Sequence, residues 1–200
     1  MKVFQDLNPR GLASNEYGGI TYRCMIKLEE GMTDDQIRHA IYYNGSVHAT
    51  KYYSWKDGPV NFKMISDQAK GAGINFVVNN SIHLGTPNMS LELFAKTTGI
   101  MADLLDDSGW NESNAAIALM NEPGKLVGHG TKGAKKYVEY IKRADEKVNG
   151  RYKLWLINDE YHLLDEEYVF THTTDVPKRV FCPHHLSSLG KTPAWKHVEY

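Results

Sequence analysis

The sequence lacks several features that would each settle a class of function. It has only two cysteines, Cys24 and Cys182, far apart and in no Cys-x-x-Cys pair. No disulfide framework can be built from them, and two reduced thiols are expected. No Lys/Arg cluster is denser than Lys132-Gly133-Ala134-Lys135-Lys136, and the net charge is −1. The positive field that holds a phosphate backbone is missing, so nucleic acid is not an expected partner. No apolar run approaches the about 20 residues that cross a bilayer. The start, Met1-Lys2-Val3-Phe4-Gln5-Asp6, has no apolar signal core. A membrane partner is therefore not expected, and the expected location is the cytoplasm, or outside the cell by a route not visible in this chain. Neither Gly-x-Gly-x-x-Gly nor Gly-x-x-x-x-Gly-Lys-Ser/Thr follows any predicted strand, so no nucleotide cofactor is expected. There is no low-complexity linker and no internal repeat in residue identity.

What is present is ordinary globular chemistry, with 42% hydrophobic and 24% charged residues over 200 positions, a length and balance that suit one domain spanning 1–200. Short apolar runs alternate with amphipathic stretches, as in a sheet wrapped by helices. Residues 20–27 read as a strand. Thr33-Asp34-Asp35-Gln36 has the capping-box pattern and opens a helix with Ile37, Ala40 and Ile41 on one face. Residues 47–53 are rich in β-formers and run into the turn cluster Lys56-Asp57-Gly58-Pro59. Phe62, Ile65 and Ala69 form the next helical stripe, which Gly71-Ala72-Gly73 stops before the strand 74–78.

Ser90 caps a helix carrying Leu91, Phe94, Met101, Leu104 and Leu105, and a strand at 115–120 follows. A helix at 134–148, a turn at Asn149-Gly150, a strand at 154–157 and a strand at 179–182 complete the pass. About six strands, most followed by a helix and most turning polar at their C-terminal ends, predict an α/β fold, an incomplete (β/α) barrel of about six β/α units. An open doubly wound sheet would read the same way.

The strand at 115–120 runs directly into Asn121-Glu122-Pro123. A carboxyl at a strand end, flanked by Asn and Pro, is held on a rigid rim and partly desolvated. Desolvation raises its pKa toward the range in which it donates a proton at neutral pH. Glu122 is the expected catalytic residue, with Asn121 beside it. Trp55, next to a turn, could stack on the apolar face of a pyranose, whereas Trp155, inside an apolar strand, reads as packing.

Ala118-Leu119-Met120-Asn121-Glu122-Pro123 resembles the fourth-strand motif of the clan A retaining glycoside hydrolases, the cellulase-like (β/α)8 enzymes. The resemblance covers residues 60–190 in layout. It implies that Glu122 is the general acid/base, that Asn121 binds the sugar 2-hydroxyl, and that the polar segment from Asn79 to His83 and the pair His184-His185 orient a saccharide substrate. Tyr161 joins this substrate-binding set. The chain departs from the family pattern at Ser81, where the family has a His, and at Leu186, where it has a Tyr. Retaining hydrolysis also needs a nucleophilic carboxylate about 5 Å from the acid. The family's strand for it would only be beginning at Tyr200, so the chain reads as truncated after the sixth strand. Glu160, Asp159 and Glu199 are the candidates for a second carboxylate.

Whether the chain is an active enzyme is left open by that departure. The leading expectation is a glycosidase-like hydrolase of a β-linked saccharide, with no metal and no cofactor. A second reading is a non-catalytic carbohydrate-binding or structural protein derived from such a barrel. A third is a metal-dependent amidohydrolase, because Val47-His48-Ala49-Thr50-Lys51-Tyr52-Tyr53 and Pro183-His184-His185-Leu186 are similar to segments of the dihydroorotase type, and His162 is a further imidazole at a strand end. The His-x-His of that family's first strand is absent.

Overall fold

A computed structural model describes residues 19–24, 28–43, 45–48, 61–73, 75–80, 89–120, 123–157 and 164–182. Local sequence signals explain most of its elements. Strand β1 (Gly19–Cys24) leads to helix α1 (Asp34–Tyr43). The expected capping box forms, with Gln36 N donating to Thr33 Oγ1 at 3.2 Å and Thr33 N to Gln36 Oε1 at 2.9 Å. After strand β2 (Gly45–His48), helix α2 (Phe62–Gly71) is capped by Asn61, whose Oδ1 accepts from Met64 N at 2.8 Å. Its buried stripe contains the predicted Phe62, Ile65 and Ala69.

Strand β3 (Asn75–Asn80) precedes helix α3 (Leu91–Asp107), capped by Ser90 at 3.1 Å from Leu93 N. Strand β4 (Ala115–Leu119) is followed by a single turn, α4 (Gly124–Val127), and then by the long helix α5 (Gly130–Val148). Asn149, in the left-handed region at φ 53°, ends α5 before strand β5 (Lys153–Ile157). Helix α6 (Glu166–His172) and strand β6 (Arg179–Cys182) complete the described chain.

The strands form one sheet in the order β2-β1-β3-β4-β5-β6. Strands β1, β3, β4, β5 and β6 are parallel, with Val77 opposite Ala116 and Asn79 opposite Ala118 across the centre. Strand β2 runs antiparallel to β1, pairing Thr21 with His48 and Cys24 with Gly45. This corrects the expected incomplete (β/α) barrel of about six β/α units. The step from β1 to β2 reverses direction, and β2 and β6 stand at opposite edges of a sheet that is open among the described residues. The sequence pattern identifies a strand but not its direction, and an antiparallel edge on a parallel sheet is a common arrangement.

Among the described residues the sheet is not doubly wound either. From β3 to β6 each strand is laid beside the one before it, and crossovers of constant hand then place successive helices on one face. The contacts agree, since α1 packs on α3, α3 on α5 and α5 on α6. The main core lies between that helical layer and the sheet, where Tyr22, Phe76, Val78, Ile117, Leu119, Leu154 and Leu156 meet the apolar helix faces. Each fully buried side chain of this kind contributes about 1.5–3 kcal/mol. Alternate residues Val77, Ala116, Ala118, Trp155 and Val180 form a separate small cluster. Both faces of β4 are buried along its length, as expected of a central parallel strand.

The N-terminal ends of the strands are tied by polar contacts. Arg151 Nη1 reaches Asp103 Oδ1 at 2.7 Å and Asp106 Oδ2 at 2.5 Å. The Tyr152 hydroxyl donates to Asp106 Oδ1 at 2.6 Å, and the Trp110 carbonyl lies 3.1 Å from that hydroxyl. Burial, then the hydrogen bond to Asp106, holds the Tyr152 phenol well above its usual range, so it stays a donor. Trp110 Nε1 donates to Ser66 Oγ at 2.8 Å, and its ring stacks on Phe76 at 5.2 Å.

Candidate functional site

In α/β sheets ligands bind outside the carboxyl ends of the parallel strands, where loops from neighbouring strands converge. Of the five parallel strands, β3 and β4 are the central pair. The last two residues of β3 are Asn79 and Asn80, both buried, and alternation sends their side chains to opposite faces of the sheet. Asn80 faces the helical layer. Its Nδ2 lies 3.0 Å from Thr98 Oγ1 and 3.3 Å from the Phe94 carbonyl, which ties β3 to α3.

Asn79 is bonded differently. Its Nδ2 donates across the strand ends to the carbonyl of Met120 at 3.2 Å. A carbonyl can only accept, so this contact also fixes which end of the carboxamide is nitrogen. The Asn79 Oδ1 is buried, and among the described residues no donor reaches it. Leaving such an acceptor unpaired costs about 1–3 kcal/mol, which a purely structural residue would not retain without compensation.

Met120 carries the second irregularity. It follows β4 with φ at 59°, in the left-handed region. A Met there costs about 1–3 kcal/mol, and such strain concentrates at functional sites. The turn breaks the strand alternation, because Met120 joins the same core cluster as Leu119. Tyr137 of α5 supports the same strand end by donating to the Leu119 carbonyl at 3.3 Å. Three residues after Met120, buried Pro123 begins the α4 turn, and its carbonyl accepts from Leu126 N at 2.9 Å and Val127 N at 3.0 Å. After α4 the chain turns sharply into α5. A Cβ on Gly133 would lie 2.2 Å from the Gly128 carbonyl, so only glycine fits where that loop crosses the helix.

Among the predicted site residues, the structure places Asn79. Glu122, Asn121, His83, His184, His185, Trp55, Tyr161, Glu160, Asp159 and Glu199 lie outside the described residues, as do Lys51 and His162. Asn79 therefore meets the expected motif through Met120, the residue immediately before Asn121. The left-handed Met120 was not anticipated. Glycine or asparagine at that position would have signalled it, but methionine carries no such cue. Helices α4 and α6 were also unanticipated. For α6 a signal existed in Asp165, whose carboxylate accepts from Tyr168 N at 2.9 Å and from Thr131 Oγ1 at 2.8 Å. Those two hydrogen bonds hold its pKa below the usual carboxylate value.

A cavity of about 170 Å³ opens at the opposite end of the strands, beside Asn75, Asn114, Lys153 and Trp155, and no predicted site residue lines it. Among the described residues no group of three or more His, Cys, Asp or Glu side chains is placed to hold a metal ion. No described helix is long and apolar enough to cross a membrane. No protein-family model matches the chain, and comparison with the curated proteins gives no significant match.

Proposed function

We propose that this chain acts on a β-linked saccharide, with Glu122 as the proton donor to the glycosidic oxygen and Asn121 hydrogen-bonded to the neighbouring sugar hydroxyl. The observation that supports this reading most is the strained end of β4. Met120 is left-handed, its carbonyl is held by the buried carboxamide of Asn79, and the chain continues directly into Asn121-Glu122-Pro123. Strain of that kind at the carboxyl end of a central parallel strand is characteristic of a ligand site. In this reading His83, His184, His185, Trp55 and Tyr161 contribute the further substrate contacts.

Hydrolysis requires a second carboxylate. Glu160 or Asp159, following β5, would supply it from the strand adjacent to β4, and Glu199 is the third candidate. A separation of about 5 Å from Glu122 gives a covalent intermediate and retention, whereas about 6.5–9.5 Å admits a water and gives inversion.

The test is hydrolysis of aryl β-glycosides by the wild type and Glu122→Gln. The wild type should turn over, and the variant should be slower by about 10²–10⁴-fold on poor leaving groups, which need the proton most. Equal rates, or no turnover by either protein, would end the catalytic reading. Saccharide binding without turnover would instead identify a binding protein.

A further inference from the structure

The segment that carries Glu122 is short and is bounded on both sides. Asn121 and Glu122 are joined to left-handed Met120 on one side and to Pro123, the start of the α4 turn, on the other. Pro123 is fixed by its ring and by the two amides that its carbonyl accepts. Met120 has no comparable internal restraint, since an L-residue with a large side chain does not favour φ 59°. The hydrogen bond from Asn79 Nδ2 to the Met120 carbonyl supplies one from the neighbouring strand.

The contrast with Asn80 separates this role from ordinary packing. Asn80 uses its amide nitrogen to join β3 to α3, as a structural asparagine does. Asn79 contacts the one strained residue of the adjacent strand end while its own Oδ1 stays unsatisfied. Its amide thus carries a desolvation cost that an apolar side chain of the same branched shape would avoid. A side chain that stabilises the fold poorly yet touches the residue before the proposed acid is placed for function.

We infer that Asn79 is a positioning residue: its carboxamide holds Met120 in the left-handed conformation and so sets where the Asn121-Glu122 segment leaves β4. The catalytic consequence rests on the glycosidase reading above, whereas the conformational one does not.

Two variants and two readouts test it. Asn79→Leu keeps the branched shape in a larger side chain and removes both polar atoms, and Asn79→Ala serves if the leucine variant does not fold. Asn79→Leu is expected to lose less stability than Asn80→Leu, which forfeits two partners. Its kcat on an aryl β-glycoside should fall by about 10–100-fold with KM nearly unchanged, the mark of a misplaced catalytic group. The backbone chemical shifts of Met120 in labelled protein should leave the values of a left-handed residue. A melting temperature that falls together with an unaltered kcat would overturn the inference, leaving Asn79 as packing. Met120 shifts that stay left-handed in both variants would overturn it whatever the kinetics. If the wild type hydrolyses no glycoside, the glycosidase reading fails by itself, and the Met120 shifts alone decide the positioning role.

Discussion

At the N-terminal ends of β4 and β5, buried or half-buried polar groups find partners within the protein: Arg151 with Asp103 and Asp106, Tyr152 with Asp106, and Trp110 with Ser66. At the C-terminal ends of β3 and β4 the pattern is opposite, with an unpaired Asn79 Oδ1 and a left-handed Met120 side by side. Across β3, β4 and β5 one end is built for stability, while the other holds free energy in reserve; left-handed Lys178, just before β6, lies outside that region. A well-packed fold tolerates a few such violations where function requires them. The location of the violations is therefore informative even though most predicted site residues lie outside the described chain.

The largest expected effect falls at the saturated end. Trp110→Ala removes a ring that stacks on Phe76 at 5.2 Å and a donor to Ser66. It should cost about 3–5 kcal/mol in urea unfolding, the range of large-to-small aromatic truncations in cores. A loss much smaller than this would break the comparison, because the saturated end would then carry little of the stability.

A sharper form of the comparison uses the adjacent pair in β3. Asn80→Leu forfeits the bonds to Phe94 and Thr98 and should cost about 1–2 kcal/mol. Asn79→Leu should cost less than that or stabilise. Equal losses in chemical denaturation would erase the distinction between the two side chains and leave the unpaired oxygen without meaning.

The smallest expected effect is electrostatic and lies away from both ends. Burial, then the nearby Asp175 and Glu146, push the Asp145 carboxyl above its usual value of 3.8. The folded state therefore disfavours ionised Asp145 more than the unfolded chain does. That penalty is absent below the unfolded value and fully present once pH has risen past the raised folded value. Asp145→Asn should accordingly stabilise the protein modestly at pH 7 and leave it unchanged near pH 3. A stability curve displaced equally at both pH values would show that the effect is not one of ionisation.

Much of this architecture was legible because it depends on local chemistry. Thr33 and Ser90 cap the helices they were expected to cap, Phe62, Ile65 and Ala69 line the buried face of α2, and Asn149 turns the chain after α5. The direction of β2 was not legible, since periodicity is the same for parallel and antiparallel pairing. The incomplete barrel was expected from the succession of strands and helices and from the motif at Glu122, neither of which specifies what an edge strand pairs with. At the site, Asn79 was legible as a polar residue at a strand end. Its unpaired oxygen and the conformation of Met120 were not, because both arise from how two strand ends meet rather than from either segment alone.

The succession of helices on one face also bears on how the protein comes apart. Since α1 packs on α3, α3 on α5 and α5 on α6, cohesion passes from neighbour to neighbour, much as in a repeat array. The centre at β3 and β4 is clasped from two sides, and the edges from one. Opening is therefore expected to proceed inward from the margins, with β3 and β4 among the last parts of the sheet to be released.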